Sequence, residues 1–353
     1  MNILLVMAIS FLLASCAVVS GSPSYQGKIK YNFDGSRFLN IKQHKSHSIL
    51  DVISWRLQRE DPSWPDWINN LQYPPSQDKN CSNDNVHITL INHATFLIQL
   101  NCINILTDPL WKERTSPVDW VGPKRIHAPG IPIDKLPNID LVLISHNHYD
   151  HLDLDAVKSL KQKFNPQFIS GLGNDLLLKK HDISKTTSLD WWEHSRYKNL
   201  EIYFVPAQHF SGRGLLDRDQ TLWGGFVIKS RSKVIYFAGD TGWGPHFQLI
   251  KDRYGNIDLS ILPIGQYEPR YFMKHAHINP EEAVRAMMIL RSHYSIGFGA
   301  DSIAGLADEK HGQAIMDLRK ALRKHHLPLD RFITIAPGQN CSYETEIVCA
   351  EDI

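Results

Sequence analysis

Between positions 146 and 151 the chain reads His-Asn-His-Tyr-Asp-His, three imidazoles and a carboxylate in six positions. In an extended segment alternate residues face one way. His146 and His148 can therefore grip one ion, while the turn after them presents Asp150 and His151 to a second. A solvated polar turn gives no reason to gather these side chains directly behind an apolar run. Two further ligand-type residues hold comparable positions: His209 in Pro206-Ala207-Gln208-His209 and Asp240 in Gly239-Asp240-Thr241-Gly242. The ordinary alternatives are a packed histidine at 209 and a local turn cap at 240. Mixed imidazole and carboxylate donors suit zinc, or iron or manganese of similar coordination, whereas all-oxygen sets suit calcium or magnesium.

The elements that position these groups are short apolar runs: 140–145 (DLVLIS), 201–205 (EIYFV), 234–238 (VIYFA) and 258–262 (DLSIL). Runs of this kind are buried strands of a layered domain. The first three lead directly into ligand residues. Because the ends of neighbouring strands meet at one sheet edge, groups far apart in the chain can converge there. A helix is expected over 154–164, with Asp153 as N-cap and Asn165-Pro166 as its stop. A second is expected over 280–291, with Asn279 as N-cap, Pro280 at the first position, and Glu281 and Glu282 complementing the dipole. Residues 86–91 and 95–100 read as an antiparallel hairpin, and from Asn85 onward strands alternate with helices, an α/β pattern. Upstream, 49–70 gives a short amphipathic helix stopped by Pro62 and then a Trp-rich loop. No internal repeat is evident.

The 353 residues suit one large α/β domain with an extension. Lys and Arg number 38 against 37 Asp and Glu, so no strong field favours nucleic acid as a partner. A hydrophobic fraction of 42% excludes a disordered or fibrous chain. Residues 3–14 form an uncharged apolar run, too short for a membrane span of about 20 residues but matching a signal-peptide core. It ends in Leu13-Ala14-Ser15-Cys16, which resembles the lipobox of bacterial lipoproteins. The expectation is a signal peptide over 1–15 and an acylated Cys16. The protein is then exported and anchored on a membrane facing the periplasm, the outer membrane rather than the inner; simple secretion or an uncleaved anchor is the alternative. Residues 18–36, rich in Gly, Ser and Pro, read as a tether, within a tether and extension spanning 16–80. With Cys16 acylated, four cysteines remain. Cys81 precedes the first hairpin strand and Cys102 follows the second, so these two are expected to pair, with Cys341 and Cys349 as a second disulfide. Four reduced thiols are the alternative.

The H-x-H-x-D-H run resembles the signature of the metallo-β-lactamase superfamily, which implies an αβ/βα four-layer sandwich, here over residues 81–353. The likeness extends to Asn92-His93-Ala94-Thr95, Leu106-Thr107-Asp108-Pro109, Gly122-Pro123-Lys124-Arg125, the run ISHNHYDHLD, Leu189-Asp190-Trp191-Trp192, Phe237-Ala238-Gly239-Asp240-Thr241-Gly242, and Pro263-Ile264-Gly265 with Tyr267-Glu268-Pro269-Arg270. Together, from about 37 to 309, these resemble the N-acylphosphatidylethanolamine-hydrolysing phospholipase D family and its bacterial lipoprotein relatives. The resemblance implies that His146, His148 and His209 hold one zinc, that Asp150 and His151 hold a second, and that Asp240 bridges them. His277, in Phe272-Met273-Lys274-His275-Ala276-His277, matches a family histidine near the substrate phosphate. The implied activity is metal-dependent phosphodiester hydrolysis of phospholipase D type on an N-acylated phospholipid, with Asp150, Asp240 and His277 as catalytic candidates. A lipid anchor on Cys16 would put such an enzyme at a membrane surface. The alternatives are a lactone or ester hydrolase of the same fold, and a lipid- or metal-binding lipoprotein without catalysis. The oligomeric state is not legible.

One family feature is missing. Members supply a last histidine to the second zinc from an I-H-(W/F)-G-T-F segment, whereas this chain reads Ser295-Ile296-Gly297-Phe298-Gly299-Ala300-Asp301. Ungapped counting puts Gly299 at the histidine's position, and another gap puts Gly297 there. Three outcomes follow: Asp301 substitutes as a carboxylate, which iron or manganese tolerates better than zinc; or one ion alone is held; or binding persists without hydrolysis. His275 and His293 are further candidates, each with a plain surface reading. His311, His325 and His326 lie in a Lys/Arg-rich stretch and read as solvated.

Overall fold

The computed structural model describes residues 21–43, 47–59, 62–70 and 85–350. The expected signal segment, Cys16 and Cys81 lie outside the described residues. Helix α1 (Ile49–Gln58) opens on a capping box between Ser48 and Asp51 and ends ahead of Pro62. Then follow β1 (Val86–Asn92), β2 (Thr95–Leu100), β3 (Ile103–Thr107), β4 (Lys124–Arg125), β5 (Leu141–Ile144), α2 (Leu154–Phe164), β6 (Gln167–Gly171), α3 (Asn174–Lys180) and β7 (Thr186–Leu189). The second half runs β8 (His194–Tyr197), β9 (Leu200–Val205), β10 (Gly225–Lys229), β11 (Val234–Phe237), α4 (His246–Tyr254), β12 (Leu259–Pro263), α5 (Arg270–Met273), α6 (Pro280–Leu290) and β13 (Tyr294–Phe298). It closes with β14 (Ile303–Ala304), α7 (Gln313–Lys324), β15 (Phe332–Thr334), β16 (Asn340–Tyr343) and β17 (Ile347–Cys349).

The strands form an eight-stranded sheet, ordered β17-β16-β1-β2-β3-β5-β6-β7, a seven-stranded sheet, ordered β15-β13-β12-β11-β10-β9-β8, and a two-stranded pair of β14 and β4. Strand alternation explains the layers. Leu141 and Leu143 of β5 face a core shared with Phe204, Phe226, Phe237 and Ile261 of the other sheet. Val142 and Ile144, on the opposite face, pack with Val157 and Leu160 of α2 and Leu177 and Leu178 of α3. On the far side, Val227, Tyr236 and Leu262 meet Phe247 of α4, Val284 and Met287 of α6, and Leu318 and Leu322 of α7. Helix, sheet, sheet, helix is the four-layer sandwich expected. Central strands buried on both faces cannot alternate apolar with polar residues, which is why they read as continuous apolar runs.

Sheet direction fixes where the site lies. β3 and β5 are parallel, and β1 runs the same way because it is antiparallel to β2, itself antiparallel to β3. In the other sheet β11, β12 and β13 are parallel, and β9 shares their direction through β10. The residues following β1, β3 and β5 therefore leave the first sheet along one direction, and those following β9, β11, β12 and β13 leave the second along one direction.

Helix α2 has Asp153 as N-cap, accepting from the amides of Asp155 and Ala156, and α6 has a capping box between Asn279 and Glu282 with Pro280 at its start. Cys341 and Cys349 face each other across the β16–β17 hairpin and are disulfide-bonded. Cys102 is also in a disulfide. The stretch expected as a tether is packed from Gly21 on: Asn32, Phe33 and Phe38 are buried, and Lys30 and Asn32 bond the two oxygens of Asp190 at 2.5 and 2.7 Å. The polar composition of the extension hid two phenylalanines, Phe33 and Phe38, that belong to the core between the sheets. Among the described residues, no helix is long and apolar enough to cross a membrane.

Candidate metal centre

The loop after β5 brings His146 Nε2 within 2.8 Å of His148 Nδ1, and the loop after β9 brings His209 Nε2 within 3.3 Å of the same atom. Tetrahedral ligands about 2.0–2.1 Å from zinc are separated by about 3.3 Å, so these three nitrogens, from two buried residues and the partly exposed His148, are grouped on the scale of one ion. Beside them, Asp150 and His151 belong to a second group, with His151 Nε2 3.7 Å from Asp150 Oδ2. Asp240 lies between the two. Its Oδ2 is 3.2 Å from His151 Nε2 and 3.9 Å from His209 Nε2. His277 Nδ1 is 3.7 Å from the same oxygen. The sequence-derived residues His146, His148, Asp150, His151, His209, Asp240 and His277 thus come together from four loops.

Gly239 shows why the AGDTG turn reads as it does. It has φ +59°, and a Cβ there would lie 2.7 Å from the Ser145 Cβ, so only glycine lets Asp240 approach the β5 loop this closely.

Three of the histidines are aimed by a partner on the other nitrogen. His151 Nδ1 is 2.7 Å from Asp108 Oδ2, and His146 Nδ1 is 2.9 Å from Ser145 Oγ, which itself donates to Asp108 Oδ2 at 2.6 Å. His209 Nδ1 is 2.9 Å from the Ala276 carbonyl oxygen. Such partners fix the tautomer and leave the far nitrogen with a lone pair for a cation. His277 Nδ1 is buried and has no hydrogen-bond partner, and His151 Nε2 faces two carboxylate oxygens, Asp240 Oδ2 at 3.2 Å and Asp150 Oδ2 at 3.7 Å. A buried nitrogen without a partner is costly, and this mixture of imidazole and carboxylate donors fits a divalent metal.

Electrostatics divides the two groups. Burial, reinforced by neighbouring imidazoles, pushes His146 well below the usual histidine range, and burial holds His209 there too; burial takes His148 to about 4. These are neutral donors. Burial works against a charge on His151 as well, but Asp240, Asp150 and Asp108 hold it well above the ordinary value. Burial likewise opposes the Asp240 and Asp150 carboxylates, yet both are held below the usual range, chiefly by His151. Burial lowers His277, so its ring is neutral at pH 7.

Asp301 is not brought to the donor groups. It has φ +50°, and its Oδ1 accepts from the Gly312 amide at 2.7 Å, at the start of α7, outside every donor group. His275 and His293 also fall outside these groups; the His293 side chain is half exposed, near Asp258. His311 lies 4.0 Å from Asp301.

Four further residues of the site had no role assigned from the sequence, although His93 and Asp108 lie in the family-like motifs. Asp108, after β3, follows the same strand-end rule as the ligands and was visible on that ground. His93, in the β1–β2 turn, has its Nε2 3.5 Å from Asp150 Oδ2, and the Gln266 side-chain nitrogen, after β12, is 3.0 Å from that Nε2. Asn40 donates to the His209 carbonyl at 2.7 Å and accepts from its amide at 3.0 Å, which steadies the ligand from the N-terminal extension; no local pattern announces it.

Fold and site together define a metal-dependent hydrolase. A family profile described as "Beta-lactamase superfamily domain" matches residues 103–297, and the chain belongs to that superfamily. Within it, the chain is 40% identical over 228 residues to N-acyl-phosphatidylethanolamine-hydrolyzing phospholipase D 1 of Caenorhabditis elegans, a match covering 61% of this chain and 64% of that one, so it spans just under two thirds of that relative. It is 36% identical over 273 residues to an uncharacterised protein of Mycobacterium tuberculosis, covering 76% and 71% of the two chains. Among solved structures, the fold is similar to Igni18, a metallo hydrolase from Ignicoccus hospitalis (TM-score 0.55, 20% identity, 74% of this chain and 100% of that one). It is also similar to an isothiocyanate hydrolase from Delia radicum gut bacteria (TM-score 0.57, 19% identity, 73% and 99%).

Proposed function

We propose that the protein is a zinc-dependent phosphodiesterase of phospholipase D type, cleaving an N-acylphosphatidylethanolamine-like lipid to phosphatidic acid and an N-acylated amino alcohol. The observation that carries this reading is the meeting of two donor groups at Asp240, in a chain similar to phospholipases of that specificity. His146, His148 and His209 would hold one ion and Asp150 and His151 a second, with Asp240 between. The ions would supply Lewis acidity and an activated water for attack on phosphorus.

The chain's own contribution is placement and hydrogen bonding. Arg270 donates to the His277 carbonyl at 2.9 Å and pairs with Glu282 at 2.8 Å, holding the His277 loop over Asp240. A neutral His277 can donate its ring N–H as a hydrogen bond to a phosphoryl oxygen as charge develops there. The apolar run 3–14 and Cys16 support export and an acyl anchor on a periplasm-facing membrane, which places the enzyme beside its lipid.

The test is a three-substrate comparison on the full chain loaded with zinc: vesicles containing N-acylphosphatidylethanolamine, a chromogenic phosphodiester and a lactone. Phosphodiester turnover exceeding lactone turnover is expected. Lactone hydrolysis without phosphodiester cleavage would replace this reading with the ester alternative, and no turnover on any substrate would return the protein to a binding role. Cys16→Ser is expected to release the protein from the membrane fraction.

A further inference from the structure

We propose that His93 is a ligand of the second metal ion, taking from the β1–β2 turn the role left open at Gly299. This rests on the metal-centre reading above and assigns that centre's missing donor.

The first observation is which glycine faces the site. A Cβ on Gly297 would strike the Ile264 side chain at 2.8 Å, inside the outer core, whereas a Cβ on Gly299 would approach only the Gly265 amide nitrogen and His93 Cε1, each at 3.9 Å. The space a side chain at 299 would enter is therefore bordered by the His93 ring. Gly299 also has φ +78°, a backbone conformation that disfavours a histidine.

The second is the aim of the ring. His93 has φ +45° in the tight turn between β1 and β2, and its imidazole is fully buried. Its Nδ1 is 2.8 Å from Ser302 Oγ. If Nδ1–H donates to that hydroxyl, Nε2 carries the lone pair, the arrangement shown by ligating histidines whose second nitrogen is anchored. Ser302 belongs to the same post-β13 segment as Gly299. The segment that lacks the donor thus orients its substitute.

The third is convergence. His93, Asp150 and His151 form one buried group of metal-compatible donor atoms. The side-chain nitrogen of Gln266 lies 3.0 Å from His93 Nε2 and 3.4 Å from Asp150 Oδ2. A single donor group serving both atoms shows that both lone pairs address one region, and a cation entering there would displace that amide. Counting Asp240, the second ion would have His93, Asp150, His151 and Asp240, two imidazoles and two carboxylates, a donor set suited to zinc, iron or manganese.

The experiment is a metal titration of the full chain with cobalt(II), read by its visible absorption and by metal-to-protein ratio after gel filtration. The wild type is expected to bind two ions. His93→Ala should retain the first and lose affinity for the second by more than about 100-fold, a larger loss than outer partners usually produce. Retention of the first ion reports that the variant is folded. Independently of any variant, anomalous diffraction from the metal-loaded wild type should place His93 Nε2 about 2.0–2.1 Å from the second ion. A second-ion affinity unchanged in His93→Ala, or a second ion whose ligands exclude His93, overturns the assignment. Phosphodiesterase activity is measured separately. Two ions with His93 bound but no turnover would overturn the proposed function and leave the ligand standing, while full turnover with His93 unligated would do the reverse.

Discussion

The His146, His148 and His209 group and the Asp150 and His151 group lie side by side and share Asp240, yet they are made in different ways. The first consists of three imidazoles whose protons burial has removed. Its donors are in the state a metal needs before the metal arrives. The second is a knot of opposite charges, with His151 favouring its proton because three carboxylates surround it. A metal entering there has to displace that proton and replace its role. The first group joins the loop after β5 to the loop after β9, one from each sheet; Asp150 and His151 both come from the β5 loop and meet Asp240 from the loop after β11. Two neighbouring sites of one fold thus differ in preorganisation, and a preorganised neutral site should fill first.

The largest effect should come from removing what the groups share. Asp240→Ala is expected to leave less than one tightly bound ion per chain and to lower phosphodiesterase kcat/KM by at least about 10³-fold, roughly 4 kcal/mol of barrier. Metal analysis beside steady-state kinetics checks it; a variant that keeps two ions would show that the groups are independent. Next comes Asp108, whose carboxylate bonds His151 directly but reaches His146 only through Ser145. Asp108→Asn preserves shape and removes an acceptor. Second-ion affinity should fall by about 10–100-fold and first-ion affinity by less than tenfold. Equal losses would contradict the division between the sites.

What the sequence disclosed follows the same division. Helices over 154–164 and 280–290 were legible because their caps are local: an Asp ahead of one and Asn279 with Glu282 at the other. The first metal group was legible because a single loop carries two of its donors, and the third follows a recognisable strand. The second group was only half legible. His93 and Gln266 reach it through sheet register, which no spacing encodes, and His93 sits in a turn where a polar residue needs no explanation. The Gly297 or Gly299 ambiguity is not settled by the pleat, because residues two apart share a face; Gly299 lies just past β13 with φ +78°, a turn that no spacing encodes. Asp301 was drawn in by proximity in sequence, and its left-handed backbone carries it to the start of α7 instead. Asn40 stayed hidden because the extension's composition is polar while its two buried phenylalanines are not consecutive.

Proton competition gives the next effect. With His151 raised, the metal-free second site holds a proton at pH 7, so its ion binds better as pH rises and more weakly as pH falls, by about tenfold per unit below that raised value. The three imidazoles of the first site titrate well below the ordinary range, His148 at about 4, so proton competition there should begin only near that pH. Chelator competition at pH 7, 6 and 5 should show second-ion affinity dropping about 100-fold with the first nearly flat. Parallel slopes would mean that both sites have the same protonation chemistry.

The smallest effect isolates the relay. Ser145 Oγ donates to Asp108 and lies against His146 Nδ1, while the Ser145 amide makes a separate 2.7 Å bond to Asp108 Oδ1. Ser145→Ala removes the hydroxyl but leaves that amide bond and the 2.7 Å contact between His151 and Asp108. One neutral hydrogen bond is worth about 1 kcal/mol, so first-ion affinity should fall about fivefold while the second site is unmoved. If the second ion weakens instead, Ser145 is positioning Asp108 rather than His146, and the orientation of the three-histidine group must come from His209 and its anchors on Ala276 and Asn40.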